Sequence, residues 1–474
     1  YLRAVMRNIS LVPVIFCLLT AFFPACSLAP AYTRPEAPVP DRISAGTGGE
    51  TENAPQGDQK NAAIAARLGW SEFFRDARLR ELIALSLRHN RDARLAVLAV
   101  EEARARYAIR RAERFPRLEA AGTGEYSGQV EGRHAEVLEV GLMPSFELDF
   151  FGRVKNMSEA ALQSYLATVE AEKTVRISLI AQVAESYLNE RLAVEQLQLA
   201  RDNLASWRKS YAFVEKRVQS GQSSLLDLEQ ARSMVEFASA AVAERERQVI
   251  QAGNALRLLI GSFAAHELPV PVPLRGQALA ALPSDMPSAV LLERPDVQEA
   301  EHALLEANAD IGAARAAFFP SINLTGNLGY MSEELNRLIA GPNAAWFFLP
   351  RVTLPIFSGG SLMAGLDLAE VRRESSVARY EKAVQTAFTE AADALRSRAS
   401  YSRQYKAQER YLASQRTVLN LAMNRYVNGA VSYLEVLDAQ RGLYQAEQDL
   451  LGIRRDQLLN EIRLYKALGG GTRG

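Results

Sequence analysis

The sequence offers few side chains in arrangements that perform catalysis. Its four histidines, His89, His134, His266 and His302, are scattered along the chain. No His-Glu-x-x-His spacing, no glycine-rich phosphate loop with a lysine and no nucleophile elbow occurs in it. We therefore expect no catalytic residue, no metal site and no cofactor, and an enzyme is excluded as the working hypothesis.

The residue best placed for covalent chemistry is Cys26. The two cysteines of the chain, Cys17 and Cys26, both lie in its first 26 residues. An apolar stretch, Ile9 to Pro24, follows Arg7 and is typical of a secretory signal peptide, predicted over residues 1–25. Cleavage there leaves a terminal cysteine that can carry several acyl chains, which anchor a protein where one does not. The alternative is an ordinary secretory signal with an incidental cysteine.

Charge and hydropathy exclude two further classes of protein. Lys plus Arg equals Asp plus Glu at 55 each, so no basic excess is available to neutralise nucleic-acid phosphates. Beyond the N-terminal segment no run of 18 apolar residues occurs, which excludes a bundle of transmembrane helices. Any membrane crossing must therefore be made by strands.

The chain contains two copies of one unit, visible at offsets of 204 and then 208 residues. The matched pairs include Asp92 with Asp296, Phe115 with Phe319, Pro116 with Pro320, Arg217 with Arg425, Gly221 with Gly429, and Asp227 with Glu435. Each copy begins with a helical pattern, over 76–114 and 288–318, that stops at the aromatic-proline pair.

Two segments with a period of two follow in each copy. We predict strands over about 117–130, 135–150, 320–332 and 345–357. Their length suits tilted strands that cross a bilayer with one apolar and one polar face. A half-buried hairpin on a globular core is the alternative. Because the smallest bacterial barrels have about eight strands, four cannot close one, and three chains would give twelve.

Long helices come after the strands. The segments 153–219 and 361–428 contain no proline and predict helices close to 100 Å long, at about 1.5 Å per residue. Gly221 and Gly429 interrupt the pattern, and shorter helices return from there. We expect the short helices of each copy to stack end to end beside the long one.

These elements define a mainly α-helical fold with membrane β-structure. The duplicated unit of short helix, β-hairpin, long helix and short helix forms an α-helical coiled-coil barrel plus a share of a trimeric twelve-stranded transmembrane β-barrel. The predicted domains are a lipidated N-terminus and extended tether (26–68), a first repeat (69–261) with its tip near Gly221, an equatorial linker (262–287), and a second repeat (288–470) with its tip near Gly429.

Several motifs carry a resemblance to a known family. They are Gly69-Trp-Ser-Glu-Phe-Phe-Arg-Asp76, His89-Asn-Arg-Asp92, Arg425-Tyr-Val-Asn-Gly429 and Tyr433-Leu-Glu-Val-Leu-Asp-Ala-Gln-Arg441. With the segment that follows Cys26, they resemble the outer-membrane efflux lipoproteins of the TolC-like family, NodT type. The resemblance runs from Cys26 to Gly471.

The resemblance implies the exit duct of a tripartite multidrug efflux pump in a Gram-negative outer membrane, lipid-anchored and extending into the periplasm. It implies a homotrimer, a periplasmic membrane-fusion adaptor and an inner-membrane pump of the resistance-nodulation-division class. Such a duct is a passive conduit that opens when the adaptor and the pump engage it. Two alternatives remain open, a duct for type I protein secretion and, from another class, a periplasmic adaptor.

The resemblance also assigns site residues. It places Glu435 and Asp438, which share a helix face, in an acidic ring at the periplasmic gate, and it links Tyr426 to Asp227. Val431 stands where relatives can carry a second linking arginine. The expected adaptor-docking residues are at the two tips: Gly221, Ser223, Ser224, Gly429 and Ser432. The alternatives are a solvated helix face for the acids and plain helix caps for the glycines.

Overall fold

A computed structural model describes residues 27–44, 68–128, 134–263, 267–339 and 341–470. Residues 1–25 and Cys26, the predicted signal peptide and lipidation site, lie outside the described residues. The chain divides into two compact units. We call the first the strand unit; its described residues are 27–36, 99–128, 134–169, 299–339 and 341–381. The second, the helix unit, takes the other described residues.

The elements follow one another along the chain in the order β1 (Arg42–Ser44), α1 (Trp70–Phe73), α2 (Ala77–His89), α3 (Arg91–Ala112), β2 (Arg117–Gly128), β3 (His134–Leu148), α4 (Arg153–Gln219), α5 (Leu225–Ile260), β4 (Asp285–Pro287), α6 (Pro295–Ala316), β5 (Ser321–Ser332), β6 (Ala344–Thr353), α7 (Ser361–Val427) and α8 (Tyr433–Ala467). Short 3-10 turns lie at 274–276, 288–293, 335–337 and 341–343. Each long helix, α4 and α7, has 67 residues.

The strand unit contains an antiparallel sheet in the order β2-β3-β5-β6. The pairing of β3 with β5 joins the hairpins of the two copies, so β2 and β6 are its edges. Strand β6 ends at Thr353, short of the expected 357, because its partner β5 begins only at Ser321. An edge strand leaves one row of backbone donors and acceptors unpaired.

One face of this sheet is apolar and exposed. The register places Ala120, Leu142, Leu328 and Trp346 in a single row across the four strands. Leu328 is 64% exposed and Trp346 is 74% exposed. This is the alternation that the sequence predicts, and an apolar face of this kind requires a covering phase or partner.

The helical stretch expected over 76–114 is two helices, because Asn90 ends the first and caps the second. Its Oδ1 accepts from the amides of Asp92 (2.8 Å) and Ala93 (3.0 Å). Asparagine competes well for these unpaired amides at a helix N-terminus. In the second copy, α6 begins at Pro295, whose missing N–H costs nothing at that position.

Buried aromatic rings form part of the helix-unit core. The rings of Phe73 and Tyr465 stack with their centroids 4.0 Å apart, and the Tyr465 hydroxyl donates to the carbonyl of Leu68 at 2.8 Å. Strands β1 and β4 pair in the same unit. Within the described residues, no helix combines the length and the apolar character needed to cross a membrane.

Candidate functional site

Two glycine turns reverse the chain after the long helices. Gly221 has φ +71° and Gly429 has φ +73°, a left-handed conformation that glycine adopts without a steric penalty. The amide of Gln222 donates to the carbonyl of Arg217 at 2.7 Å, and that of Ala430 donates to Arg425 at 2.9 Å. Both turns are therefore Schellman caps with the same bonding, as expected of repeated units. We call the segments 219–227 and 427–435 the first and second tips.

Asp227 is the polar centre of the first tip. Its Oδ2 accepts from the amide of Ser224 (3.2 Å), and the Ser224 hydroxyl accepts from the amide of Asp227 (3.1 Å), which completes a capping box at the start of α5. The same Oδ2 accepts from the hydroxyl of Ser223 at 2.8 Å. At the second tip, Ser432 precedes α8 without a side-chain cap.

Ser223 joins Tyr426 to Asp227. The hydroxyls of Ser223 and Tyr426 are 3.0 Å apart. Because the single Ser223 proton goes to the Asp227 carboxylate, Tyr426 must be the donor to Ser223. The resemblance links Tyr426 to Asp227, and the structure connects them through this serine. We call Tyr426, Ser223 and Asp227 the tip latch.

The tip latch lies on a small buried core to which α4, α5, α7 and α8 all contribute. Tyr426 is 5% exposed, and its ring lies 5.2 Å from that of Tyr433, which is also buried. Val214 and Val436 are fully buried in the same cluster. The sequence analysis names Tyr433 only as the first residue of a motif and assigns it no role. Its place after the second glycine turn, three residues before Val436 on the same helix face, was a usable signal.

Glu435 and Asp438, in the first two turns of α8, are exposed, and each faces an arginine. Glu435 lies 3.9 Å from Arg425, and Asp438 lies 3.7 Å from Arg441. Exposed pairs of this kind contribute only about 0–1 kcal/mol. The arginines reduce the negative field that the two carboxylates set up.

The described residues contain no group of three His, Cys, Asp or Glu side chains that could hold a metal ion. His302, on α6, has its Nδ1 2.8 Å from Oε1 of Gln163 on α4. That histidine is accounted for by a contact between helices of the strand unit.

A second site lies in the strand unit, where residues 27–36 form what we call the N-terminal strap. The Ser27 hydroxyl donates to Oδ1 of Asn156 at 2.8 Å, and Asn308 donates to the carbonyl of Pro30 at 2.9 Å. Gly312 lies directly beneath, and a Cβ added there would be 2.7 Å from the amide nitrogen of Ala29. Only glycine allows this close approach.

Glu301 holds the far end of the strap. Arg34 donates to both of its carboxylate oxygens, at 2.8 and 2.7 Å, and Tyr32 donates at 3.0 Å. Burial, with the adjacent Glu301 carboxylate, raises the pKa of Tyr32 to about 12. Within the segment predicted as a tether, Tyr32 and Arg34 thus bind a helix side chain, Glu301, that the sequence analysis did not single out.

The duplicated β-hairpins, the two long helices and the reversing glycines define an α-helical channel protein with a share of a membrane β-structure. The chain belongs to the outer membrane efflux protein family, whose profile matches residues 82–262 and 286–470. It is an outer-membrane efflux channel.

Known relatives match nearly the whole chain. The cation efflux system protein CusC of Escherichia coli K12 is 47% identical over 460 residues, covering 96% of this chain and 98% of that protein. The probable outer membrane lipoprotein SilC of Salmonella typhimurium is 44% identical, covering 94% and 95%. A crystal structure of CusC superposes with a TM-score of 0.85 at 45% identity, covering 94% of this chain and all of that one.

Proposed function

We propose that three copies of this chain form one duct and that it serves as a passive conduit, without catalysis. The supporting observation is the sheet with edges at β2 and β6 and an exposed apolar face. Pairing the β2 edge of one copy with the β6 edge of the next satisfies both edges, and three copies give a closed cylinder of twelve strands. Lipid then covers the row of Leu142, Leu328 and Trp346.

Helix α3 gives independent support for assembly. None of its residues is buried in the single chain. Leu95 is 62% exposed and Ile109 is 64% exposed, so neighbouring copies are needed to cover it. The test is electrophoresis in mild detergent, in which we expect a heat-resistant trimer. A protein that runs only as a monomer at every temperature contradicts the proposal.

We propose that both tips dock a periplasmic membrane-fusion adaptor, which couples the duct to an inner-membrane pump of the resistance-nodulation-division class. Leu225 and Leu226 are each 67% exposed at the first tip, and exposed apolar pairs favour a protein partner. Leu226→Asp should abolish co-purification with an adaptor while trimers persist. Retained co-purification contradicts docking at this tip.

We propose that Cys26 carries the lipid anchor. Its neighbour Ser27 is bound to Asn156 in the first turn of α4, and Gly312 lies near the end of α6, next to the start of β5. The acyl chains would therefore start beside the ends of the strands. Metabolic palmitate labelling should be lost in Cys26→Ser and kept in Cys17→Ser; labelling that survives Cys26→Ser contradicts the assignment.

We propose that the duct is closed at its tips by the tip latch and that Glu435 and Asp438 line the constriction. A trimer would present six of these carboxylates, and their field favours cations. The duct itself leaves the choice of compound to the pump. Closure is tested by Tyr426→Phe, which removes the proton that Tyr426 donates to Ser223 and should raise the conductance in planar bilayers.

A further inference from the structure

Arg217 lies in the last turn of α4, and its guanidinium reaches the end of the other long helix. Its Nη1 donates to the carbonyl of Val427, the last residue of α7, at 3.2 Å. Its Nη2 donates to the carbonyl of Gln222, just past the first glycine turn, at 3.4 Å. Carbonyls at a helix C-terminus lack partners within the helix and attract cations. One side chain thus ties the first tip to the end of α7.

The same guanidinium lies over the ring that carries the tip-latch hydroxyl. Its Cζ is 5.0 Å from the ring centroid of Tyr426 and 5.8 Å from that of Phe213. Both distances are within the range of a cation–π contact. Since the ring direction sets where the Tyr426 hydroxyl points, Arg217 orients that hydroxyl toward Ser223.

The repeat provides a comparison inside the chain. The counterpart of Arg217 is Arg425, but Val218 stands at the position equivalent to Tyr426, and Val431 stands at the position equivalent to Ser223. Arg425 is instead 62% exposed and lies 3.9 Å from Glu435. Both copies have an arginine at this position. Of the two, Arg217 is the one whose guanidinium lies over aromatic rings.

The arrangement also carries a cost. The Nε atom of Arg217 is buried without a hydrogen-bond partner. An unpaired buried donor destabilises the state that contains it. The contacts of the Arg217 guanidinium therefore stabilise the closed arrangement, while its unpaired Nε destabilises it. That penalty disappears when the guanidinium leaves.

We infer that Arg217 is the positioning residue of the tip latch: it holds Tyr426 against Ser223 and ties α7 to the first tip, so that opening requires the guanidinium to leave the ring. The inference rests on the proposed function, in which separation of the tips opens the duct. It adds a control point that lies on α4, in the first copy, and acts on Tyr426 of α7, in the second copy.

The test is the open fraction of purified trimers in planar bilayers. Arg217→Gln should raise it about two- to fivefold, which is the factor for losing one cation–π contact of typical strength. Arg217→Lys keeps a cation but loses the fork that bonds two carbonyls, and its increase should be smaller. The matched control is Arg232→Gln on α5, where the guanidinium lies 3.9 Å from Glu229 in an exposed pair, and the open fraction should stay unchanged. Heat-resistant trimers must be present for every variant.

Tyr426→Phe separates the two levels of the hypothesis. If Arg217 acts through the Tyr426 ring, the double variant Arg217→Gln with Tyr426→Phe should open no more than the larger single variant. If the open fraction rises in Tyr426→Phe but not in Arg217→Gln, the role of Arg217 is overturned and the tip latch stands. No increase in either would overturn the tip latch itself. An equal increase in Arg232→Gln would show that the loss of any arginine near the first tip opens the duct, and it would overturn the role of the ring.

Discussion

Arg294 donates from Nη1 to the main-chain carbonyl of Ala467 at 2.8 Å, and thereby caps the end of α8 from the residue that precedes α6. The equivalent residue of the first copy, Asn90, donates to the carbonyl of Leu259 near the end of α5 at 2.9 Å. The two copies thus join a returning helix to a departing one at the same position. One junction uses a neutral amide, and the other uses a buried charge.

Arg294→Ala should destabilise the helix unit more than Asn90→Ala does. Arg294 is 5% exposed and also pairs with Asp296 (2.7 Å) and Glu390 (2.8 Å). We expect a loss on the order of 2–3 kcal/mol, below the usual figure for a broken buried ion pair because both acids are partly exposed. For Asn90→Ala we expect about 1 kcal/mol. Denaturant unfolding followed by helical circular dichroism measures both, and equal losses contradict the ranking.

Gly312→Ala should displace the N-terminal strap. The new Cβ would lie 2.5 Å from Nδ2 of Asn156 and 2.7 Å from the Ala29 amide, closer than real contacts allow. Cleavage by chymotrypsin after Tyr32 should become faster. The matched control is Gly365→Ala in α7, where an added Cβ meets nothing within 4 Å. Unchanged cleavage of the Gly312 variant would show that the strap does not depend on this contact.

Asp310→Asn should raise the thermal stability at neutral pH. Burial raises the pKa of the Asp310 carboxyl, although Arg372 opposes the shift, and burial with Asp310 also raises the pKa of Glu306. An acid whose pKa is higher in the folded state contributes stability at pH values below its unfolded-state pKa. That contribution is lost as the pH rises through its folded-state pKa. The gain in melting temperature should therefore be larger at pH 7 than at pH 4.

The control for that prediction is Asp393→Asn, because Asp393 is exposed on α7. It should change the melting temperature little at either pH. A gain for Asp310→Asn that is the same at pH 4 and pH 7 would exclude ionisation as its cause.

Glu435→Ala combined with Asp438→Ala should shift the channel from cation toward anion preference. The change removes two carboxylates and leaves Arg425 and Arg441, which now face them. Reversal potentials under a salt gradient in planar bilayers measure the shift. The control is Glu229→Ala on α5, where the carboxylate lies 3.9 Å from Arg232 in a similar exposed pair. An unchanged reversal potential in the double variant removes these acids from the constriction.

The features that the sequence predicts are local ones. Alternation specifies the strand faces because side chains on a strand have a period of two, and Gly221 and Gly429 mark the turns because a left-handed residue is needed there. The break at Asn90 was also readable in principle, since asparagine is a good cap, but the helical composition on both sides concealed it.

The contacts that the sequence could not reveal join distant residues. Ser223 and Tyr426 are 203 positions apart, and Arg34 is 267 positions from Glu301. Neither periodicity nor spacing encodes such a meeting. The repeat even favours a wrong inference, since it suggests equal roles for Arg217 and Arg425, whereas the structure gives them different neighbours.

The strap sets an order of events during biosynthesis. Leu28 receives a hydrogen bond from Arg315, which the ribosome adds 287 residues later, and Asn308 and Gly312 are equally late. Residues 27–36 therefore cannot dock until about two thirds of the polypeptide has been made. Docking of the strap is therefore a late step, and any processing of the residues next to Ser27 can precede it.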